Sequence, residues 1–389
     1  MPRGGSFHFM AEAPVLDPYL GRIHDVDSHL QVAMRRYPEL MGESGERIYR
    51  RFKDFAGNSD YAKLLDPEEG EEPASEHSIW NVKGPRAPGA GTPEGRLDTL
   101  DRMGIARQVV FPQVLVCLPA WGKGEAALQT VRDYNDLCAH WGRESGGRLR
   151  PVGLLNVREL EPARVELERA LAAGLRAFLL PDGIPPGGFS PAAPEVDPLW
   201  AQLAEARACA LLHVGGHLEY RRHAAWDDAE LLQSGGAGAG ETVNPHALAT
   251  LHQAPESYLA ALTLGGVFER HPELRVGSIE QGAGWVGPLA ERMDTTFDLG
   301  LARRAREVCS LRPSEYLRRS FRATPFVTEH VGRMIERFGL EEVYCFSTDF
   351  PHPEGGRDPL PRMTATLAGH GEAVLERFLV DNARLLLDP

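Results

Sequence analysis

The segment Asp25-Val-Asp-Ser-His29 closes an extended run near the start of the sequence. Alternate residues of a strand share a face, so Asp25, Asp27 and His29 point the same way, with Asp27 and His29 nearest the open end. A carboxylate oxygen and an imidazole nitrogen spaced like this can hold one divalent ion, each at ~2.0–2.2 Å. A plain hydrogen-bonded pair explains the same motif. His213 ends Ala208-Cys-Ala-Leu-Leu-His213, where a histidine after an apolar run has no evident packing purpose. A satisfied core histidine is the alternative there. Asp349 sits in Phe346-Ser-Thr-Asp-Phe-Pro-His-Pro-Glu354, and a turn residue before Pro351 is its alternative.

These residues need elements to bring them together. Extended runs are predicted near Arg22–His29, Arg107–Pro112, Arg150–Asn156, Leu175–Pro181, Ala208–His213, Leu274–Glu280, Phe321–Phe326 and Val343–Thr348. Several are continuously apolar, as strands buried on both faces must be. Amphipathic helical patterns alternate with them at Arg96–Met103, Gly124–Glu144, Glu161–Ala173, Pro198–Ala206, Tyr258–His271 and His330–Phe338. Strand–helix alternation with right-handed crossovers builds a parallel sheet. Eight such strands predict an α/β fold of the closed (β/α)8 TIM-barrel type. An open doubly wound sheet is the rival, but no glycine-rich phosphate turn follows the first strand. The three sites belong to strands one, five and eight. In a barrel all of them reach the C-terminal face, and an aspartate ending the last strand lies beside the first. That coincidence says more than any one motif.

Residues 1–20 read as an N-terminal extension and 21–389 as the barrel, with 38–92 as a long insertion after strand one. The insertion holds the acidic run Glu68-Glu-Gly-Glu-Glu72, read as solvated surface, and ends in Gly84-Pro-Arg-Ala-Pro-Gly-Ala-Gly-Thr-Pro93. A lid is preferred for it over a packing insertion, because long connections on this face commonly wall or cover a pocket. Gly183–Pro194 and the flexible Ser234–Gly240 also follow strand ends.

Composition narrows the field. The chain has 389 residues, 42% hydrophobic and 25% charged, an ordinary globular balance. Its formal charge of −13 repels phosphate backbones, so nucleic acid is not an expected partner. No apolar run is long enough to span a bilayer, so neither is a membrane. The five scattered cysteines, and the lack of an apolar stretch in the first 25 residues, fit the cytoplasm. The four lysines (Lys53, Lys63, Lys83, Lys123) fall outside the buried runs, which argues against chemistry that needs a lysine inside a barrel.

From about Gly21 onward the sequence resembles the amidohydrolase-related branch of the amidohydrolase superfamily. That branch includes aminocarboxymuconate-semialdehyde, γ-resorcylate and carboxyvanillate decarboxylases. The resemblance is carried by Asp25–His29, Leu212-His-Val-Gly-Gly216, Glu280-Gln-Gly-Ala-Gly-Trp285 through Arg292-Met-Asp294, and Phe346–Gly355. It implies a metal-dependent (β/α)8 barrel with ligands Asp27, His29, His213 and Asp349. The sequence departs from the pattern in two places. Asp27 stands where the family often has His or Glu, and Glu280-Gln281 stands where the semialdehyde decarboxylase has a catalytic histidine. The acid–base role then passes to Glu280. The carboxylated lysine that bridges two metals in other members has no counterpart in Leu175-Arg-Ala-Phe-Leu-Leu-Pro181, so one ion is expected. Zinc suits the site, and the mixed Asp/His set is hard enough for manganese.

The remaining expectations concern nearby residues. Asp349, Glu280 and His217 are the catalytic candidates. His217 in His213-Val-Gly-Gly-His217 faces substrate or simply occupies the loop. His352 and Glu354 support Asp349 or order its loop, and Arg357 is a candidate for a substrate carboxylate. Gly282 and Gly284 offer close backbone approach beside Glu280. Trp285 reads as packing. The expected function is non-oxidative decarboxylation of a small cyclic or aromatic carboxylic acid. Metal-dependent hydrolysis of a lactone or amide is the alternative, and a barrel that only binds a ligand is a second one. The expected partner is a small-molecule substrate, and a homodimer is left open.

Overall fold

The computed structural model describes residues 15–57, 59–216, 219–220, 226, 229–232 and 245–388. His217 and the Ser234–Gly240 stretch lie outside them. The architecture is a (β/α)8 barrel. Its strands are β1 Ile23–Asp25, β2 Ile105–Val110, β3 Leu149–Pro151, β4 Gly153–Leu154, β5 Ala177–Leu179, β6 Cys209–His213, β7 Arg275–Ile279 and β8 Phe321–Ala323. Every strand pair is parallel. β3 and β4 are halves of one barrel strand. Pro151 has no N–H to give, and around it the run changes partners. Val152 N donates to Val110 O at 2.9 Å, and Leu155 N donates to Leu179 O at 3.2 Å.

The eighth barrel position is the extended segment 343–350. Ala323 N donates to Val343 O (2.9 Å) and Cys345 N to Ala323 O (3.0 Å) on one side. On the other, Asp349 N donates to Asp27 O (2.9 Å) and His29 N to Phe350 O (2.7 Å). These bonds close the ring and set the last strand against the first, as the sequence requires of Asp349. β6 shows why the central strands are apolar throughout: all five of its residues are buried, inward against the barrel core and outward against helices.

Most predicted helices appear within a few residues of their expected ends, among them Pro93–Met103, Glu125–Glu144, Leu160–Ala172, Asp197–Glu205 and Val331–Phe338. The predicted Tyr258–His271 helix is instead two pieces, Gln253–Leu264 and Val267–Arg270. Gly265-Gly266 breaks it, with Gly266 at φ +71°. The insertion is folded. Its helix Tyr37–Ala56 buries Tyr37, Met41, Ile48 and Phe52. The acidic run does more than face solvent. Glu71 accepts from Gly89 N (2.9 Å) and Gly91 N (2.8 Å), and Glu72 pairs with Arg86 at 2.7 Å. Only its outer part is plain surface.

The base of the barrel is sealed by the short helix Arg384–Leu387 and the residue after it. Arg107, Arg150 and Arg275, at the bottom of β2, β3 and β7, converge on Leu387 O and Asp388. Just above, His24 Nδ1 lies 2.8 Å from Val380 O.

Candidate metal centre and active site

Six side chains meet at the C-terminal mouth of the barrel: Asp27, His29, His213, Glu280, Asp349 and His352. Asp27 and His29 follow β1, and His213 ends β6. The His29 ring sets Nδ1 3.3 Å from Pro112 O, and the His213 ring sets Nδ1 3.0 Å from Val214 O. Each ring thereby turns Nε2 inward, the arrangement that fixes metal-binding imidazoles. Glu280 follows β7 at φ +54°, and Asp349 lies one residue before the end of segment 343–350 at φ +52°. Left-handed backbone is uncommon outside glycine and costs free energy, and it recurs where a side chain must be aimed at a site. Arg207 is the one other non-glycine residue with this conformation among the described residues.

The inward atoms stand at a common spacing. His29 Nε2 is 3.6 Å from Asp27 Oδ1, 3.6 Å from Glu280 Oε2 and 3.4 Å from Asp349 Oδ1. His213 Nε2 is 3.5 Å from Asp27 Oδ1 and 3.2 Å from Glu280 Oε2. Donors each ~2.1 Å from one ion lie ~3.0–3.4 Å apart, whether tetrahedral or octahedral. The donor atoms fall into two overlapping groups, each mutually within 4.8 Å. One is Asp27, His29, His213 and Glu280; the other is His29, Glu280, Asp349 and His352. Glu280, predicted for acid–base work, is therefore at ligand spacing too, and Asp349 reaches the centre from the His29 and His352 side.

Electrostatics agree with a cation at this point. Asp27 Oδ1 and His29 Nε2 are buried with no hydrogen-bond partner among the described residues. Burial, then the facing Asp349 carboxylate, pushes Asp27 above the usual carboxylate range. Burial raises Asp349 too, but the His352 and His29 rings outweigh it and hold its carboxyl well below that range. Burial pushes His29 down to about 4, with His352 and His213 adding repulsion, so its nitrogen is a neutral donor near neutral pH. A divalent cation relieves the crowding of buried carboxylates and satisfies both orphaned atoms. The residues fit such an ion.

Above this floor lies a cavity of ≈590 Å³. Asp27, Glu280 and Asp349 form its polar end, and Val214, Leu248, Leu251, Phe326, Val327 and Met363 give it apolar walls. A narrower pocket behind His29 and His213 is lined in part by Leu65 of the insertion and by Trp121.

The other residues singled out in the sequence take the following places. Asp25 shares the strand face but binds protein, not the mouth. It accepts from Gln108 Nε2 (2.8 Å), Thr348 Oγ1 (2.5 Å) and Thr348 N (3.0 Å), tying three barrel positions together. Gly282 and Gly284 make room for the Glu329 carboxylate, which accepts from Ala283 N (2.9 Å) and Gly284 N (2.7 Å). A Cβ on Gly284 would stand 2.7 Å from Glu329 Oε1. His352 is buried, stacked on His29 with centroids 3.8 Å apart, its Nδ1 3.0 Å from Asp349 Oδ1. Glu354 lines the cavity rim, Arg357 is exposed, and Trp285 packs edge-on against Phe321.

Sequence reasoning missed two supports. Arg96 is fully buried and donates to His29 O (2.6 Å), Gly89 O (2.7 Å) and Gln108 Oε1 (2.9 Å). It locks the backbone of a candidate ligand. Asp182, after β5, accepts from Gln281 Nε2 at 2.7 Å, and Ser278 Oγ donates to Gln281 Oε1 at 2.6 Å. That network anchors the turn carrying Glu280.

A barrel whose C-terminal mouth gathers carboxylates and imidazoles under an apolar cavity defines a class of metal-site enzymes. The chain belongs to the amidohydrolase family, whose profile matches residues 26–388, and it is an enzyme of that family. No curated protein matches it. Solved structures share the fold over 94% of this chain. An amidohydrolase from Mycobacterium avium subsp. paratuberculosis K-10 is 21% identical, with 99% of its own chain covered and a TM-score of 0.64. A 5-carboxyvanillate decarboxylase from Novosphingobium aromaticivorans DSM 12444 is 12% identical, with 97% covered and a TM-score of 0.60. That structure, of a mutant form of the decarboxylase, holds manganese and 3-methoxy-4-hydroxy-5-nitrobenzoic acid. A dihydroxybenzoic acid decarboxylase from Polaromonas sp. JS666 is 15% identical, with 96% covered and a TM-score of 0.57, and holds manganese and 2-nitroresorcinol. No helix among the described residues is long and apolar enough to cross a membrane.

Proposed function

We propose that this enzyme is a carboxy-lyase that removes carbon dioxide from a small aromatic or cyclic carboxylic acid. The observation that carries the reading is the join between the apolar-walled cavity and its floor of Asp27, Glu280 and Asp349. A flat ring fits the walls, and its oxygen substituents meet the floor. The manganese-bound aromatic-acid decarboxylases of the same fold support it. Asp27, His29 and His213 would hold one divalent ion, with Asp349 reaching it from the His29 side. Zinc or manganese suits this mixed set of carboxylates and imidazoles, and manganese is the ion held by related structures. When bound, the ion would supply positive charge to a substrate carboxylate and its neighbouring oxygen.

The protein side chains do the rest. Phe326 and Met363 hold the ring and keep water from it. As the bond to the departing carboxylate breaks, its electron pair stays on the ring carbon. Glu280, which faces the cavity, delivers a proton to that carbon, so C–H replaces C–CO2. Asp349, with His352 beside it, keeps the charge on this wall balanced while the proton moves.

The test is carbon dioxide release by manganese-loaded enzyme from a panel of hydroxylated aromatic and heteroaromatic acids, beside lactones and amides. Decarboxylation in deuterated water places deuterium on the carbon that lost its carboxylate. Lactone or amide cleavage with no carbon dioxide would replace this reading with hydrolysis. The same preparations should carry one metal equivalent per chain, and His213→Ala should lose most of it.

A further inference from the structure

Glu280 and Phe326 both line the large cavity, yet they stand on different loops, one after β7 and one after β8. Glu329, which does not line that cavity, joins the two loops. Its Oε2 accepts from Ala283 N at 2.9 Å and from Phe326 N at 2.7 Å, so one oxygen bonds both loops at once. Its Oε1 accepts from Gly284 N at 2.7 Å. Glu329 N donates back to Phe326 O at 2.9 Å, so a single residue grips Phe326 through both of its backbone polar groups. The glycines of the Glu280 turn are shaped around this joint. A Cβ on Gly282 would stand 3.0 Å from the Phe326 ring, and one on Gly284 2.7 Å from Glu329 Oε1. Glu280 N donates to Thr324 Oγ1 at 2.8 Å, a second tie between the same two loops.

We propose that Glu329 is a positioning residue: it sets the Phe326 ring against the turn of Glu280, and with it the width of the slot in which a flat substrate ring lies. The inference rests on the carboxy-lyase reading and adds to it a determinant of ring recognition. The working part of the joint is the oxygen shared by Ala283 N and Phe326 N. A glutamine keeps one acceptor oxygen, which can serve that pair, and turns its NH2 group on Gly284 N alone. An alanine has no acceptor. An aspartate keeps the charge but is one methylene short of the bridge.

Two probes test it: 2-nitroresorcinol, which has the ring, and oxalate, an anion without one. Binding of each to the manganese-loaded full chain is followed by calorimetry, with metal content measured on every preparation. Glu329→Ala should weaken 2-nitroresorcinol roughly 3- to 10-fold, the usual worth of one aromatic contact, and leave oxalate within about twofold. Glu329→Asp should behave as the alanine variant does, and Glu329→Gln should restore most of the ring affinity. Because Glu329 acts through Phe326, the two losses should not add: in a Phe326→Ala background, Glu329→Ala should weaken the ring probe by less than about twofold more. Equal weakening of both probes would reveal a residue that only holds the fold, and would overturn the proposal. So would full ring affinity in Glu329→Ala and Glu329→Asp, or losses that add in the double variant, and each leaves the carboxy-lyase reading intact. Failure of metal-loaded wild type to bind 2-nitroresorcinol would overturn that reading and the Glu329 assignment with it.

Discussion

Glu280 and Asp349 both aim a carboxylate by way of left-handed backbone. That shared device decides which substitution can probe them. Asparagine tolerates this conformation better than most residues and keeps an oxygen donor of nearly the aspartate shape. Asp349→Asn should therefore fold and retain metal, while turnover falls roughly 10²–10⁴ if the carboxylate takes part in proton movement. Rate and metal content measured on one preparation separate that outcome from simple metal loss. Most of the residues gathered here are visible in the sequence, because each ends a strand and a strand end in a parallel barrel has only one place to go. Arg96 and Asp182 are not. A charged residue in a helix or loop reads as solvent-facing, and their burial arises from partners far along the chain. Glu71 is hidden for the same reason, inside an acidic run that otherwise faces water.

At the scale of elements, the helix Pro93–Met103 does more than cover the sheet. Through Arg96 it grips His29 O, Gly89 O and Gln108 Oε1, with the Phe350 ring 4.9 Å from the guanidinium carbon. Gly89 permits this closeness, since a Cβ there would stand 2.4 Å from Arg96 N. Arg96→Met should remove about 3–5 kcal/mol of stability, because buried acceptors lose their donor together. Urea unfolding gives that figure. Manganese affinity should fall as well, since His29 loses its backbone anchor. An unchanged affinity would show that the His29 ring is positioned by Pro112 O alone. The positions of the strands were legible from apolar runs, but their bounds were not: Ile23–Asp25 and Phe321–Ala323 are shorter than the runs that predicted them, and Ile105–Val110 begins two residues earlier. The break at Gly265-Gly266 was foreseeable only from the glycine pair, which the helical pattern of the flanking residues masks.

For the molecule as a whole, stability should depend on pH through its buried acids. Burial pushes Asp182 up to about 7, and Asp25 likewise to about 7. In the unfolded chain an aspartate titrates near ~3.9. The folded state therefore keeps its proton where the unfolded state has lost it. The stabilisation is complete below the unfolded value and disappears as pH rises from about 4 to about 7. Asp182→Asn carries no such proton. Its melting temperature should gain on wild type steadily between pH 4.5 and 7.5, and a gap that does not vary with pH would refute the buried acid at that position.

The closed ring has a consequence in time. β1 is made early, yet among the described residues one of its edges is covered by the late segment 343–350, and the base is sealed by residues 384–388. During synthesis that edge stays bare, an invitation to wrong pairing until the far segment arrives. Contacts across such a span also make folding slow. The candidate cradle for an ion is drawn from both sides of this seam, Asp27 and His29 on one and Asp349 on the other. It is complete only once the nascent chain has passed residue 349. An ion held by this full set would thus be taken up after translation, by the finished barrel.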